Sequence, residues 1–237
     1  MREEFPQARV LRMDTDTTRK KHAHEEILKA FSEGRADILL GTQMIVKGHD
    51  YANVTLVGVL AADLSLFDRD FRSGETTFQL LCQAAGRAGR GDKVGQVVIQ
   101  TYRPDHYAIR AAANHSYQDF YENESAYRKM MAYPPYGHMM AILIQAARKE
   151  EAWLAHDRVR RMLEISQAQE EDPVTILDPG PAMISKIRDV YRYVLYLKHR
   201  DKERLSDLRC RLEKVIEEHE MFAGIHVQFD TDPMNVY

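Results

Sequence analysis

Chemistry in this sequence concentrates in the stretch Gln79–Gly91, QLLCQAAGRAGRG, where Arg87 and Arg90 stand three residues apart among glycines at 86, 89 and 91. An arginine is permanently charged and its rigid fork matches phosphate oxygens, while glycine lets a ligand approach the backbone. Two such side chains among small residues suit a polyphosphate reached across a cleft. The same residues also suit a helix ended by glycine with both arginines in solvent, and the stretch by itself leaves the two readings open.

A second group follows residue 40, in GTQMIVKGHDYANV. Thr42 and Gln43 put a hydroxyl and an amide at a strand end, and Lys47, Gly48, His49 and Asp50 gather a cation, a flexible point, an imidazole and a carboxylate. These groups suit a phosphate backbone, a nucleotide or both. As the alternative, His49 and Asp50 form a solvated turn and Thr42 caps a helix. After Leu60, AADLSLFDRDFRSGE carries Asp63, Asp68 and Asp70. Three carboxylates invite a metal, but the ligand order and glycine of a calcium loop are missing, so a surface turn with local salt bridges is expected and no metal. No G-x-x-x-x-G-K-[ST] phosphate loop occurs, and no strand ends in an Asp-Glu pair suited to hold magnesium and orient a water. The chain alone is therefore expected to lack the parts that hydrolyse a nucleoside triphosphate.

These residues need a scaffold, and the first half supplies strand and helix in alternation. Residues 8–13 read as a strand, Asp16 and Thr17 as a cap, 18–33 as an amphipathic helix, and Gly34 as its stop. Asp37 opens a compact apolar strand that ends at Gly41-Thr42. Residues 54–60 form a second, without the alternation of a half-exposed strand and so expected to be covered on both faces. Thr76–Ala85 is the helix before the arginines, and Val94–Gln100 a third strand of the buried type. Such alternation predicts an α/β domain with a parallel sheet between helices, whose ligands sit beyond the carboxyl ends of the strands. The loops after residues 40, 60 and 100 are the expected locations.

Composition sets the outer bounds. With 237 residues, 44% of them hydrophobic and 29% charged, the chain has the material for one large or two ordinary soluble domains. A net charge of -3 exerts no global pull on nucleic acid, so such binding needs a local basic face. Two cysteines, Cys82 and Cys210, make neither a disulfide scaffold nor a four-ligand zinc cluster, which predicts a reducing, cytoplasmic compartment. No apolar stretch reaches eighteen residues, and no membrane association is expected.

LLGTQMIVKGHDYANVTLVGVLAAD followed by FRSGETTFQLLCQAAGRAGRG resembles motifs V and VI of superfamily 2 helicases, in the form used by the primosomal replication-restart helicase family. YRPDHYAI, YPPYGHMMAI and FDTDP extend the resemblance over essentially the whole chain. It implies a RecA-like helicase lobe and, behind it, the family's carboxy-terminal domain. It also implies a longer protein, in which a DNA-binding domain, a first lobe with Walker A and DExH motifs and a cysteine-rich zinc region come first. ATP and Mg2+ are implied for that whole protein, and neither is expected on this part alone. By the same resemblance Arg87 and Arg90 reach the gamma-phosphate, with Arg90 as the finger, and Gln83 lies at the lobe interface. Thr42 and Gln43 touch the DNA backbone, with Lys47 beside them, while Gly48 and Asp50 couple DNA contact to nucleotide. The family's Pro-Asp-Phe-Arg stands here as Arg69-Asp70-Phe71-Arg72, its Glu-Arg-Thr as Glu75-Thr76-Thr77, and the proline after KGHDF as Ala52. None of these differences removes a motif V or VI functional group.

In the second half, a helix over 114–129 and the stiff Tyr133-Pro134-Pro135-Tyr136-Gly137 predict a boundary, giving a lobe over 1–110, a helical linker over 111–135 and a domain over 136–237. That domain reads as strand 138–146, helix 150–168, strand 173–178, Pro-Gly-Pro, strand 190–198, helix 202–219 and strand 224–230, the order of a ferredoxin-like α/β sandwich. Trp153 is expected in the helix core. Its histidines are scattered, and no catalytic constellation is visible. Lys186–Arg204 has seven Lys or Arg against three acids. Alternation puts Arg192, Val194 and Tyr196 on one strand face and Tyr191, Tyr193 and Leu195 on the other, so Arg192 and Tyr196, with Lys198 further along, make either a positively charged aromatic platform for DNA or the outward face of an ordinary sheet. The resemblance implies DNA forks, single-stranded DNA-binding protein and other primosome and helicase-loading proteins as partners. The expected function is that of an ATP-dependent 3′-to-5′ DNA helicase in fork restart, of which this chain is a part; the alternative is a non-enzymatic DNA- or protein-binding module.

Overall fold

The structure, a computed structural model, describes residues 3–14, 16–18, 22–46, 53–67, 70–89, 94–234 and 237. Two compact units divide the chain, Met1–Glu124 and Ser125–Tyr237.

In the first unit β1 (Val10–Met13) pairs in parallel with β2 (Ile38–Gly41), and β3 (Leu56–Val59) in parallel with β4 (Gln96–Ile99). Between β1 and β2 runs α1 (Ala23–Ser32), which lays Ile27, Leu28 and Phe31 against Met13 and Leu39. Its start differs from expectation. Thr17 N–H donates to the Asp14 carboxylate and Asp14 N–H to the Thr17 hydroxyl, a closed local turn, and His22 precedes the helix without a side-chain cap. Gly34, at φ 72, ends the helix as expected.

The larger core of this unit joins α2 (Ser73–Ala85), α3 (Tyr107–Ala113) and α4 (Tyr117–Met130). Phe78 and Leu81 of α2 meet Ala108, Ile109, Ala111 and Ala112 of α3 and Phe120 of α4, with the Phe78 and Phe120 rings stacked at 4.2 Å. Gly74 permits this approach, since a β-carbon there would lie 2.7 Å from the Tyr107 hydroxyl and 2.9 Å from Glu124 Oε2. The helix expected over 114–129 is α4, and a further short helix, α3, precedes it across a break at His115, which takes φ 52. Residues 111–135 do not stand apart as a linker, because Ala111, Ala112 and Phe120 are buried in this core.

β3 also differs. Its residues alternate, with Leu56 60% exposed and Val98, opposite Gly58 on β4, 51% exposed, while Val59 and Ile99 face the helices. An unbroken apolar run conceals such alternation, because both faces carry the same residue type.

The second unit has the expected order: β5 (His138–Ala146), α5 (Lys149–Gln167), β6 (Thr175–Ile187), β7 (Val190–His199), α6 (Lys202–Glu218) and β8 (His226–Thr231). Its sheet is antiparallel in the order β6-β7-β5-β8. Period-2 alternation sends Met140, Ile142, Ile144, Leu195 and Leu197 to the helices, where Val159 and Leu163 of α5 and Leu205, Leu208 and Leu212 of α6 complete the core. Pro-Gly-Pro does not end β6. The strand continues through register shifts between Leu177 and Gly180 and between Pro181 and Lys186, which an edge strand tolerates because its prolines need no ladder N–H. Trp153 is 49% exposed rather than core. Ala152, Ala155, His156 and Val159 hold the inward phase of α5, and a one-residue offset turns Trp153 outward.

Candidate functional site

The arginine segment begins where α2 stops. Gly86 caps the helix, and Gly89 follows at φ 75, a left-handed conformation that costs glycine little. Gly89 N–H donates to the Val54 carbonyl at 3.0 Å. From below, Gly95 closes on the same segment: a β-carbon there would stand 2.2 Å from Gly89 N and 2.4 Å from the Ala88 carbonyl carbon. Arg87 is half-buried on this clamped strip, and Gln83 is exposed on the last turn of α2. Arg90 lies outside the described residues. Val54 precedes β3 and Gly95 precedes β4, so the strip sits at the amino ends of that pair, not beyond its carboxyl ends.

Thr42 and Gln43 do sit at a carboxyl end, that of β2. Gly41 makes the turn possible, since a β-carbon there would meet the Met13 carbonyl oxygen at 2.3 Å and Ile45 Cγ2 at 2.6 Å. Thr42 and Gln43 are exposed, and the Thr42 carbonyl accepts from Ile45 N–H as the chain enters a 3₁₀ turn, Gln43–Val46. That turn packs against α2. Lys47, Gly48, His49 and Asp50 lie outside the described residues. The chain after β2 therefore meets α2 and its continuation at two points, the turn Gln43–Val46 against α2 and Val54 against Gly89.

The carboxylates after β3 do another job. Asp63 is 3% exposed and accepts from the Thr101 hydroxyl at 2.6 Å and Tyr102 N–H at 2.9 Å, bonds that hold its carboxyl below the usual range. It ties the loop after β3 to the loop after β4. Asp70 pairs with Arg72 at 3.0 Å, the local salt bridge expected of this turn, and Asp68 lies outside the described residues. Among the described residues no group of three His, Cys, Asp or Glu is placed to hold a metal.

In the second unit the expected platform of Arg192, Tyr196 and Lys198 is occupied by the chain itself. Lys198 is 8% exposed; its ammonium donates to the Met131 carbonyl at 2.6 Å and lies 4.2 Å from the Tyr133 ring centre, and burial holds its pKa below the usual lysine range. The Tyr196 hydroxyl accepts from Tyr237 N–H at 3.0 Å. Arg192 donates through Nη1 to the Ile184 carbonyl at 3.2 Å, with its guanidinium 6.0 Å from the Tyr237 ring. Tyr237 in turn donates to Asp230 at 2.6 Å, an interaction that pushes its pKa up to about 12. What covers Tyr196 and Lys198 comes from residues 41 and 67 positions away.

Comparison with known proteins gives two adjacent family matches: residues 1–92 match the helicase conserved C-terminal domain, and residues 129–234 the primosomal protein N C-terminal domain. Replication restart protein PriA of Bacillus subtilis is 45% identical over 98% of this chain. Its counterparts in Synechocystis and Haemophilus influenzae are 38% and 35% identical over 99% and 98% of it. The chain carries a helicase C-terminal domain followed by a primosomal protein N C-terminal domain. It spans 28%, 27% and 31% of the lengths of those three relatives. The helicase match runs from β1 through the arginine segment, and the second match takes in the whole sheet of the second unit. Two contributors to the site carry little mark in the sequence: Gly95, whose only sign is a glycine directly before a strand, and Asp63, which reads as a metal candidate and acts as a brace.

Proposed function

We propose that this chain supplies the second motor lobe and the carboxy-terminal domain of an ATP-dependent 3′-to-5′ DNA helicase that acts at stalled forks in the cytoplasm. DNA, single-stranded DNA-binding protein and primosome and helicase-loading proteins are its partners. The observation that carries the reading is the double contact of the chain after β2, with α2 and with the arginine segment that α2 runs into, in a chain similar to replication restart proteins over 98% of its length. A rigid coupling of this kind suits a motor in which events at the nucleotide are passed to the DNA strand.

The donor set fits a polyphosphate. Arg87 stands on a strip fixed from both sides and backed by glycines, and Arg90 follows it; the two place fixed positive charge where negative charge accumulates on the transferring phosphoryl group. ATP supplies the anhydride bond whose hydrolysis drives the cycle. Gln83 lies along the same helix and orients the strip toward the facing lobe. Thr42 and Gln43, exposed at the end of β2, hold the DNA backbone, and the 3₁₀ turn that follows them transmits movement to α2. Lys47, Gly48 and Asp50 belong to the same connection. Magnesium is assigned to the longer protein, as is zinc.

The test uses a full-length protein containing this chain. Arg90→Ala is expected to lower DNA-stimulated phosphate release by about 10²-fold or more, toward the range of arginine fingers, with DNA affinity within a few-fold of the parent. An equal loss of DNA binding would show that the arginine serves the nucleic acid rather than the nucleotide.

A further inference from the structure

The hairpin joining β6 to β7 is built unlike the rest of its sheet. Between the pairs Pro181↔Tyr193 and Lys186↔Tyr191, residues 182–185 of β6 stand opposite Arg192 alone. This wide bulge is held at three points: Ala182 is buried beneath it, Met183 N–H donates to the Tyr237 carbonyl at 2.8 Å, and Arg192 donates to the Ile184 carbonyl at 3.2 Å. Pinned in this way, Met183 and Ile184 stay 60% and 58% exposed, and Ile187, further along, is 42% exposed. A bulge also spoils the edge for strand addition, so these apolar side chains do not serve sheet extension.

The turn itself is costly in conformation. Ile187 pairs with Val190, which leaves Arg188 and Asp189 as a two-residue loop with φ of 48 and 64. Both values lie in the left-handed region, where Asn-Gly is the favoured pair and a long side chain is disfavoured. Arg188 nevertheless stands there, exposed. Lys186, Arg188 and Arg192 set three cations against Asp189 in a chain whose net charge is -3, with Lys186 at 2.8 Å from Asp189 and 5.1 Å from the Tyr191 ring centre. The tip is thus apolar in its middle and cationic at its rim, the reverse of the chain's overall charge.

That chemistry matches a nucleic-acid strand whose bases are unpaired: Met and Ile side chains lie against or between base faces, and cations release counterions from the flanking phosphates. A duplex hides its base faces and offers only the second half of the match. We propose that the bulged β6–β7 hairpin is a contact for unpaired DNA, with Met183, Ile184 and Ile187 against the bases and Lys186 and Arg188 on the phosphates. Arg192 is a positioning residue, since it braces the bulge from behind. The inference rests on the proposed action on DNA and moves the contact from the covered sheet face to the hairpin tip.

The test is fluorescence anisotropy of the whole chain with labelled oligothymidylate and with a duplex of equal length, across a salt series. Replacing Met183, Ile184 and Ile187 together by Ser should weaken oligothymidylate binding about tenfold, within the range for loss of base contacts, and change duplex binding little. Lys186→Glu with Arg188→Glu should flatten the log-log salt slope by about 1.4, the loss of two phosphate contacts at about 0.7 counterion each. Arg188→Asn with Asp189→Gly leaves net charge unchanged; it should raise the melting temperature and still weaken binding, an outcome that misfolding does not produce. Unchanged affinity in all three variants overturns the proposal, and so does a parent chain that binds no DNA at low salt, which would assign the tip to a protein partner. Neither result bears on the Arg90 phosphate-release test, which touches no hairpin residue.

Discussion

Gly95→Ala probes the clamp on the arginine segment directly. The added methyl would stand 2.2 Å from Gly89 N, 2.4 Å from the Ala88 carbonyl carbon and 2.7 Å from Ala88 Cβ. Two of the three obstacles are backbone, so no rotamer change relieves them, and the 86–89 strip must move away or β4 must slip. Overpacking of this kind costs about 1–3 kcal/mol. For a unit of this size each kcal/mol shifts the melting temperature by roughly 4 °C, which predicts a fall of about 4–12 °C in the transition of the first unit. The functional effect should exceed the thermal one. Displacing Arg87 by an ångström from its working position is expected to lower DNA-stimulated turnover of a full-length protein by about 10²-fold. Gly58→Ala is the internal control. It changes the same residue type in the neighbouring strand, nothing lies within 4 Å of its added carbon, and its effect should stay within about 0.5 kcal/mol. If Gly95→Ala melts and turns over like the parent, the arginine segment is not held against Gly95 and the coupling argument fails with it.

Lys198→Met should leave oligothymidylate affinity within about twofold, because the ammonium is spent on the Met131 carbonyl and the Tyr133 ring; it should lower the second unit's melting temperature, since a hydrogen bond from a charged group is worth about 1.5–3 kcal/mol. A selective loss of DNA binding would restore Lys198 to the interface. Acid should weaken the two units in different pH ranges. Burial holds the His156 pKa below the usual histidine range even with Asp178 at 3.0 Å, so the unfolded chain takes up the proton first and stability falls as pH drops below about 6.5. Asp63 is held below the usual carboxylate range by Thr101 and Tyr102, so its contribution is present above about pH 3.9 and is lost as pH falls through its lower folded value. Trp153, the single tryptophan, reports the second unit in denaturant titrations. A flat Trp153-reported stability between about pH 7 and 5, or one that His156→Gln does not flatten, contradicts the linkage.

Local pattern determined much of this protein. The alternation of strand and helix, the stop at Gly34, the helix before the arginines, and the strand-helix-strand-strand-helix-strand order of the second unit all follow from periodicities of 2 and 3.6 that each element carries within itself. Motif residues were legible for the same reason, since Arg87, Thr42 and Gln43 lie in short contiguous strings. Tertiary structure alone decided what those strings meet. That Val54 and Gly95 clamp the arginine strip, that Asp63 binds Thr101 and Tyr102, that Met131 and Tyr133 bury Lys198, and that Tyr237 crosses Tyr196 are contacts between elements, which no single element carries within itself. Burial is also a property of neighbours rather than of residue type. Leu56 and Trp153 are apolar and exposed, whereas Lys198 and His156 are polar and buried. A strand's own alternation says which side chains share a face, but only the chain folded over that face says whether it meets solvent, a ligand or Tyr237.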